Sequence, residues 1–105
     1  MAWTNLFIAG LLEVSWAISL KYADGFSRVW PSLLTIAGMI ASFYFLAQAL
    51  KTIPVGTGYA VWTGIGAAGT AVLGIVLFAE SAALPRLACI AMILAGIIGL
   101  KLTSG

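Results

Sequence analysis

Four apolar runs, each about as long as a bilayer is thick when coiled into a helix, occupy this sequence almost from end to end: residues 3–21, 30–50, 55–78 and 84–102. A spanning helix needs about 20 predominantly apolar residues, so a chain of 105 residues holding four of them has only short connections to spare. Only 8% of the residues are charged, where a soluble domain carries roughly a quarter. The runs are continuous and do not alternate with polar residues, which argues against a membrane β-barrel. The expectation is an all-α membrane protein, with one four-helix transmembrane domain over residues 1–105 and no room for an extramembrane domain. A cleaved leader would account for the first run alone, but residues 1–20 lack a basic start and the pattern recurs three times, so the first run reads as a span.

The connections carry turn chemistry. Asp24 and Gly25 close the first span, Pro54 and Pro85 suit helix starts, and Ser81 lies in the last loop. Trp3, Tyr22, Trp30 and Phe78 fall near span ends, at the headgroup level that aromatic rings favour. A single cysteine, Cys89, excludes an intrachain disulfide and reads as a small packing residue; with no histidine, a metal site is hard to assemble. No cofactor motif and no nucleophile–base pair is visible, so an enzyme is not expected. The basic residues are too sparse for a nucleic-acid surface.

Their placement bears on topology. One insertion puts Lys51 and Lys101 inside and Lys21, Arg28 and Arg86 outside; the reverse insertion exchanges the two sets. Two against three gives the positive-inside rule almost nothing to act on. Either the chain inserts both ways or a factor other than charge decides.

Asp24 and Glu80 fall in expected loops, where a solvated carboxylate needs no functional explanation. Glu13 lies in the middle of the first span, where an ionised side chain costs about 3 kcal/mol on insertion scales. The alternative is a neutral acid bonded to a neighbouring helix. A carboxyl group that holds a proton or a cation, but not both, is the simplest physical basis for antiport. Gly10, Trp16 and Ala17 share its helix face, so an aromatic-tolerant cation can meet Glu13 while stacking on Trp16; the alternative for Trp16 is packing.

In the third span Tyr59 and Trp62 share a face, from which a phenol can donate to Glu13 and an indole can form a second wall. Ser42 and Thr63 are further hydrogen-bonding candidates, Ser42 favoured, although either hydroxyl can bond its own helix backbone. Gly64 and Gly66 weaken the helix at mid-membrane and suit either a hinge or a close helix contact. Gly66, Thr70 and Gly74 recur every four residues, as do Ala91, Ala95 and Gly99, a spacing of small residues that brings helices together in lipid. Lys101 is placed to snorkel to the interface, with a mechanistic role as the alternative.

Four spans make a thin bundle, poorly able to enclose a cavity that opens alternately to each side. No inverted repeat is visible within the chain, but two copies inserted oppositely would make the dimer its own inverted repeat. Two Glu13 side chains would then share one cavity, with coupled proton equilibria.

Residues 10–17 (GLLEVSWA), 21–28 (KYADGFSR), 54–66 (PVGTGYAVWTGIG) and 96–101 (GIIGLK) together resemble the small multidrug resistance family, and within it the guanidinium-exporting branch. The resemblance covers the whole chain. It implies an antiparallel, dual-topology homodimer in the bacterial inner membrane that exchanges protons for guanidinium-type cations at Glu13. It further implies that Ser42, Trp16 and Tyr59 order Glu13, that Trp62 lies nearby, that Gly64 and Gly66 form a flexible kink, and that the last span, with Ala91, Ala95, Gly96 and Gly99, makes the dimer contact. Trp16 and Lys101 resemble this branch rather than the exporters of polyaromatic cations, which carry a small residue at the first position. Ser15, Gly58 and Cys89 depart from the branch's usual pattern; the first two border the expected pocket. The alternatives are a broad quaternary-ammonium and drug exporter on the same fold, and one subunit of a heteromeric pair.

Overall fold

A computed structural model describes residues 1–103; Ser104 and Gly105, the end of the expected tail, lie outside the described residues. Four α-helices follow one another: α1 (Ala2–Ala23), α2 (Val29–Ala49), α3 (Val55–Phe78) and α4 (Leu84–Thr103). All four are long and apolar enough to cross a membrane, and the chain is an all-helical protein with four membrane-spanning helices. In hydrocarbon the backbone must satisfy itself, which a continuous helix does and an open strand does not.

Each helix stops for a local reason. Asp24 ends α1 in the left-handed region (φ 48°), and Gly25 (φ 72°) and Phe26 (φ 67°) continue there. This reversal lets the Ser27 and Arg28 N–H groups return to the Ala23 carbonyl at 3.0 and 3.2 Å. Pro31 stands at the third position of α2, where no intrahelical N–H is needed. Pro54 is the residue before α3, and its carbonyl accepts the first bond of that helix, from Gly58 N–H at 2.8 Å. At the far end Ala79 adopts φ 54° and ψ 34°, and Glu80 N–H closes on the Gly74 carbonyl at 3.3 Å. This is a left-handed cap of the kind glycine fills more cheaply.

α1 packs against both α2 and α3, whereas α4 lies against α3. The result is a slab of 42 × 34 × 17 Å, little more than one helix diameter thick. Its buried cluster comprises Leu6, Ala9, Ala49, Ile53, Val61 and Trp62, flanked by Trp3, Phe45, Leu46, Ile65, Ile97 and Leu100. These residues come from the first half of α1 and of α3, the end of α2 and the end of α4. One end of the bundle is therefore well packed, with Lys101 Nζ 4.9 Å from the Trp3 ring centroid. At the opposite end Lys21 Nζ lies 5.6 Å from the Phe78 ring, which also meets Tyr22 at 5.3 Å. α4 leaves Ala91, Ala95 and Gly96 exposed and Gly99 half-buried, and a Cβ built on either glycine would meet nothing within 4 Å.

A non-glycine residue in the left-handed region costs about 1–2 kcal/mol. Ala79→Gly is therefore expected to stabilise the protein by about 1 kcal/mol, read as a higher midpoint of thermal unfolding in detergent.

Candidate functional site

Glu13 sits eleven residues into the twenty-two of α1, close to its midpoint. The helix carries it to the α3 side, where its carboxyl lies directly over Gly66: a Cβ at that position would collide with Glu13 Oε1, Cδ and Cγ. Glycine is needed here for space. Glu13 Oε1 is buried and has no hydrogen-bond partner, and the same holds for Trp16 Nε1 one turn further on. An unpaired buried donor or acceptor costs about 1–3 kcal/mol, so these two atoms mark where the chain's polar accounting is incomplete.

An open groove of about 500 Å³ runs from Glu13 towards the loosely packed end. One wall is Ala17, Ile18 and Lys21 of α1; the floor is Thr63, Gly66, Ala67, Thr70, Ala71 and Gly74 of α3; Phe78, Glu80 and Arg86 finish it. The small residues spaced by four on α3 thus form the floor of a channel-like recess. Its lining combines a carboxyl group at the inner end, hydroxyls along the floor and low-dielectric walls that strengthen any charge pairing, a set chemically able to hold a cation.

Ser42 takes a different part from the one its hydroxyl suggests in sequence. It is fully buried, donates to the Ala9 carbonyl at 2.8 Å and accepts from Trp62 Nε1–H at 3.0 Å. One hydroxyl therefore ties α2 to α1 and α3. Ala9 is four residues before Glu13, so the carbonyl that Ser42 grips belongs to the helical turn leading into the acid. Ser42 and Trp62 set the backbone under Glu13 without touching its carboxyl.

The remaining expected site residues fall in several places. Gly10 is buried where a Cβ would meet the Ile65 side chain at 2.5 Å, and Trp16 packs its own Cβ over Gly38 of α2, where an added Cβ would approach it at 2.8 Å. Trp16 is not among the groove's lining residues; Thr63 is, and is exposed. Tyr59 is 58% exposed and stacks on Trp62 at 5.6 Å. The expected bond from Tyr59 to Glu13 is not made within the chain. Tyr59 lies seven residues before Gly66 on the same helix, roughly 10 Å along the axis, and its ring turns to Trp62. α3 runs unbroken through Gly64 and Gly66. There Gly64 admits Ile97 and Ile93 of α4, and Gly66 admits Glu13. Lys101 reaches Trp3 at the packed end, away from the groove.

Sequence reasoning missed Gly38, which seats Trp16, and the outer end of the groove. Glu80 was expected as a solvated loop acid, yet it lines the groove and accepts a 2.7 Å bond from Arg86 Nη2. The available signal was the Gly66–Thr70–Gly74 spacing, which marks a recessed stripe leading from one acid to the other.

Residues 1–93 match the family model for the Small Multidrug Resistance protein. The chain is similar to a guanidinium exporter of Yersinia pseudotuberculosis, with 64% identity over 99% of this chain and all of that one. It is also similar to a guanidinium exporter of Escherichia coli K12, with 61% identity over 99% of each chain, and to one of Proteus vulgaris, with 58% identity over 99% of this chain and all of that protein. The protein belongs to the small multidrug resistance family.

Two substitutions test this geometry. Ser42→Ala leaves the Trp62 indole N–H buried with no acceptor and is expected to destabilise the protein by about 1–3 kcal/mol, measured by thermal unfolding in detergent. Gly66→Ala forces the Glu13 side chain off its seat, with an expected cost of about 1–3 kcal/mol from overpacking. Gly56→Ala, with nothing within 4 Å of the new Cβ, serves as the harmless control.

Proposed function

We propose that this chain is a proton-coupled antiporter that exports guanidinium and small substituted guanidinium-type cations by alternating access, with Glu13 as the group that proton and cargo share. One observation carries the reading: a carboxyl group at mid-membrane, its Oε1 buried and unpartnered, at the inner end of a groove that opens on one side. A carboxylate in that position is too costly to retain for packing alone. The relatives named guanidinium exporters, at about 60% identity over nearly the whole chain, point to the cargo. Membership of this family makes the protein a transporter and not an enzyme.

The cycle follows from competition. With Glu13 protonated the site is neutral and has no hold on a cation; when the proton leaves, a guanidinium ion is drawn in by charge and by N–H donation to the carboxylate oxygens. The unpaired indole N–H of Trp16, one turn away, is available to fix the ionised carboxylate; its ring, packed over Gly38 and outside the groove lining, would have to turn to offer a face to a planar cation. A protein of this design never carries both guests, so flux of one drives the other.

The functional unit in this reading is an antiparallel homodimer in the bacterial inner membrane. A slab 17 Å thick does not surround a cargo. The small-residue face of α4, with exposed Ala91, Ala95 and Gly96 and half-buried Gly99, suits close contact with a second copy. Exposed Tyr59 is free to serve the partner's carboxylate where it does not serve its own. Bending at Gly64 and Gly66 would then accompany the exchange between outward and inward states, breaking the contacts with α4 and Glu13 that those glycines now permit.

Glu13→Gln keeps the size of the side chain and removes the titratable proton. In liposomes carrying the purified protein, pH-gradient-driven guanidinium uptake is expected to fall to background. Residual coupled uptake would refute the assignment; preference for bulky aromatic cations would favour a drug exporter, and silence of the wild type would point to a required partner subunit.

A further inference from the structure

The groove holds two carboxylates, and only one is used by the function proposed above. Glu80 lies at its outer end, in the short connection between α3 and α4. The side chain is part-exposed but folds back along the groove. The left-handed turn at Ala79 brings Glu80 N–H back to the Gly74 carbonyl, and the carboxyl folds over Gly74, where a Cβ would meet Oε1 at 2.5 Å and Oε2 at 3.2 Å. This repeats the arrangement at Glu13, whose carboxyl is seated on Gly66. Two acids thus rest on two glycines of one helical stripe, eight residues apart, with Thr70 between them and all five in one groove. The separation along the axis is about 12 Å, too far for one small ion to touch both acids and short enough for passage from one to the other.

What occupies Glu80 is itself informative. Arg86 Nη2 donates to Glu80 Oε1 at 2.7 Å, so the outer carboxylate already binds a guanidinium group, the chemistry of the proposed cargo. The pair is part-exposed, with the Arg86 side chain 35% and the Glu80 side chain 42% accessible, and ion pairs in such settings add little net stability and open readily. Lys21 is the other cation lining this end, and its ammonium is held over the Phe78 ring. Among the described residues, Glu80 is therefore the one anionic group lining the outer end of the groove.

We infer that Glu80 is a second cation-binding carboxylate, occupied by the tethered guanidinium of Arg86 when cargo is absent, and that guanidinium-type cargo displaces Arg86 there on its way to or from Glu13. The inference rests on the antiport reading. It makes Arg86 a built-in competitor: its side chain screens Glu80 from stray cations and yields to a free guanidinium that makes the same charge-assisted bonds.

The test is guanidinium uptake driven by a pH gradient in liposomes, measured across guanidinium concentrations for the full chain and three variants. Arg86→Gln removes the competitor and is expected to lower KM several-fold with the maximal rate retained. Glu80→Gln removes the outer site and is expected to raise KM several-fold; the double variant should match Glu80→Gln, because Arg86 then has nothing to block. An unchanged KM in both single variants, or an equal loss of maximal rate in both with KM unmoved, would overturn the inference by reducing the pair to a structural tie. Should Glu80→Gln fail to fold, Arg86→Gln decides alone, since a freed Glu80 must lower KM. A wild-type protein that moves no guanidinium sinks the antiport reading itself, whereas wild-type flux with a flat response to these changes sinks only the role of Glu80.

Discussion

Helices in hydrocarbon gain nothing from hiding apolar surface, because lipid tails are as apolar as the side chains, so contact must come from close packing and shared polar bonds. In this protein that constraint falls on α1. Its contacts with α2 and α3 are made at glycines: Trp16 over Gly38, Val14 against Gly69, Glu13 on Gly66, and Ile65 against its own Gly10. A methyl group at any of the four would push two helices apart or displace a side chain. The acid is thus positioned by the same device that assembles the bundle, and its location cannot be altered without altering the packing.

The polar bonds reinforce one half of the molecule. Ser42, gripping the Ala9 carbonyl and receiving the Trp62 indole, joins three helices just before the turn that carries Glu13. On that side lie the buried cluster and the Phe43–Trp62 edge contact at 5.8 Å. Beyond Glu13 the groove opens between α1 and α3. Glu13 therefore stands at the boundary between a closed half and an open half, where an ion held as proposed would have a way out on one side only.

Much of this was legible in the sequence because lipid imposes simple rules. Continuous apolar runs of the right length define the four spans, and the helices run from Ala2, Val29, Val55 and Leu84 within two residues of the limits set by the turn residues. Glu13 stands out because an acid in such a run is expensive. Side-chain partnerships were less legible. Nothing in the order of residues says that the Ser42 hydroxyl turns to a backbone carbonyl, that Tyr59 faces away from its own Glu13, or that Trp16 rests on Gly38, since each depends on the rotation of one helix against another. Glu80 was hidden for another reason: a loop acid is ordinarily solvated, and only the left-handed residue at Ala79, an uncommon choice for alanine, folds it back into the groove.

Charge and shape then point the same way. Within one copy, Lys51 and Lys101 lie at the packed end, and Lys21, Arg28 and Arg86 at the open end. A pair of oppositely inserted copies would place one of each set on either side of the membrane, making the two surfaces equal in basic charge and leaving the positive-inside rule no preference to express. The same inversion would put the open end of one groove at each surface, with the two Glu13 carboxyls meeting near the middle. A single chain that is tight at one end and open at the other then needs no internal repeat to reach both sides. Its asymmetry, doubled by inversion, would supply two related halves, and the groove open on one face would be the counterpart of the groove open on the other.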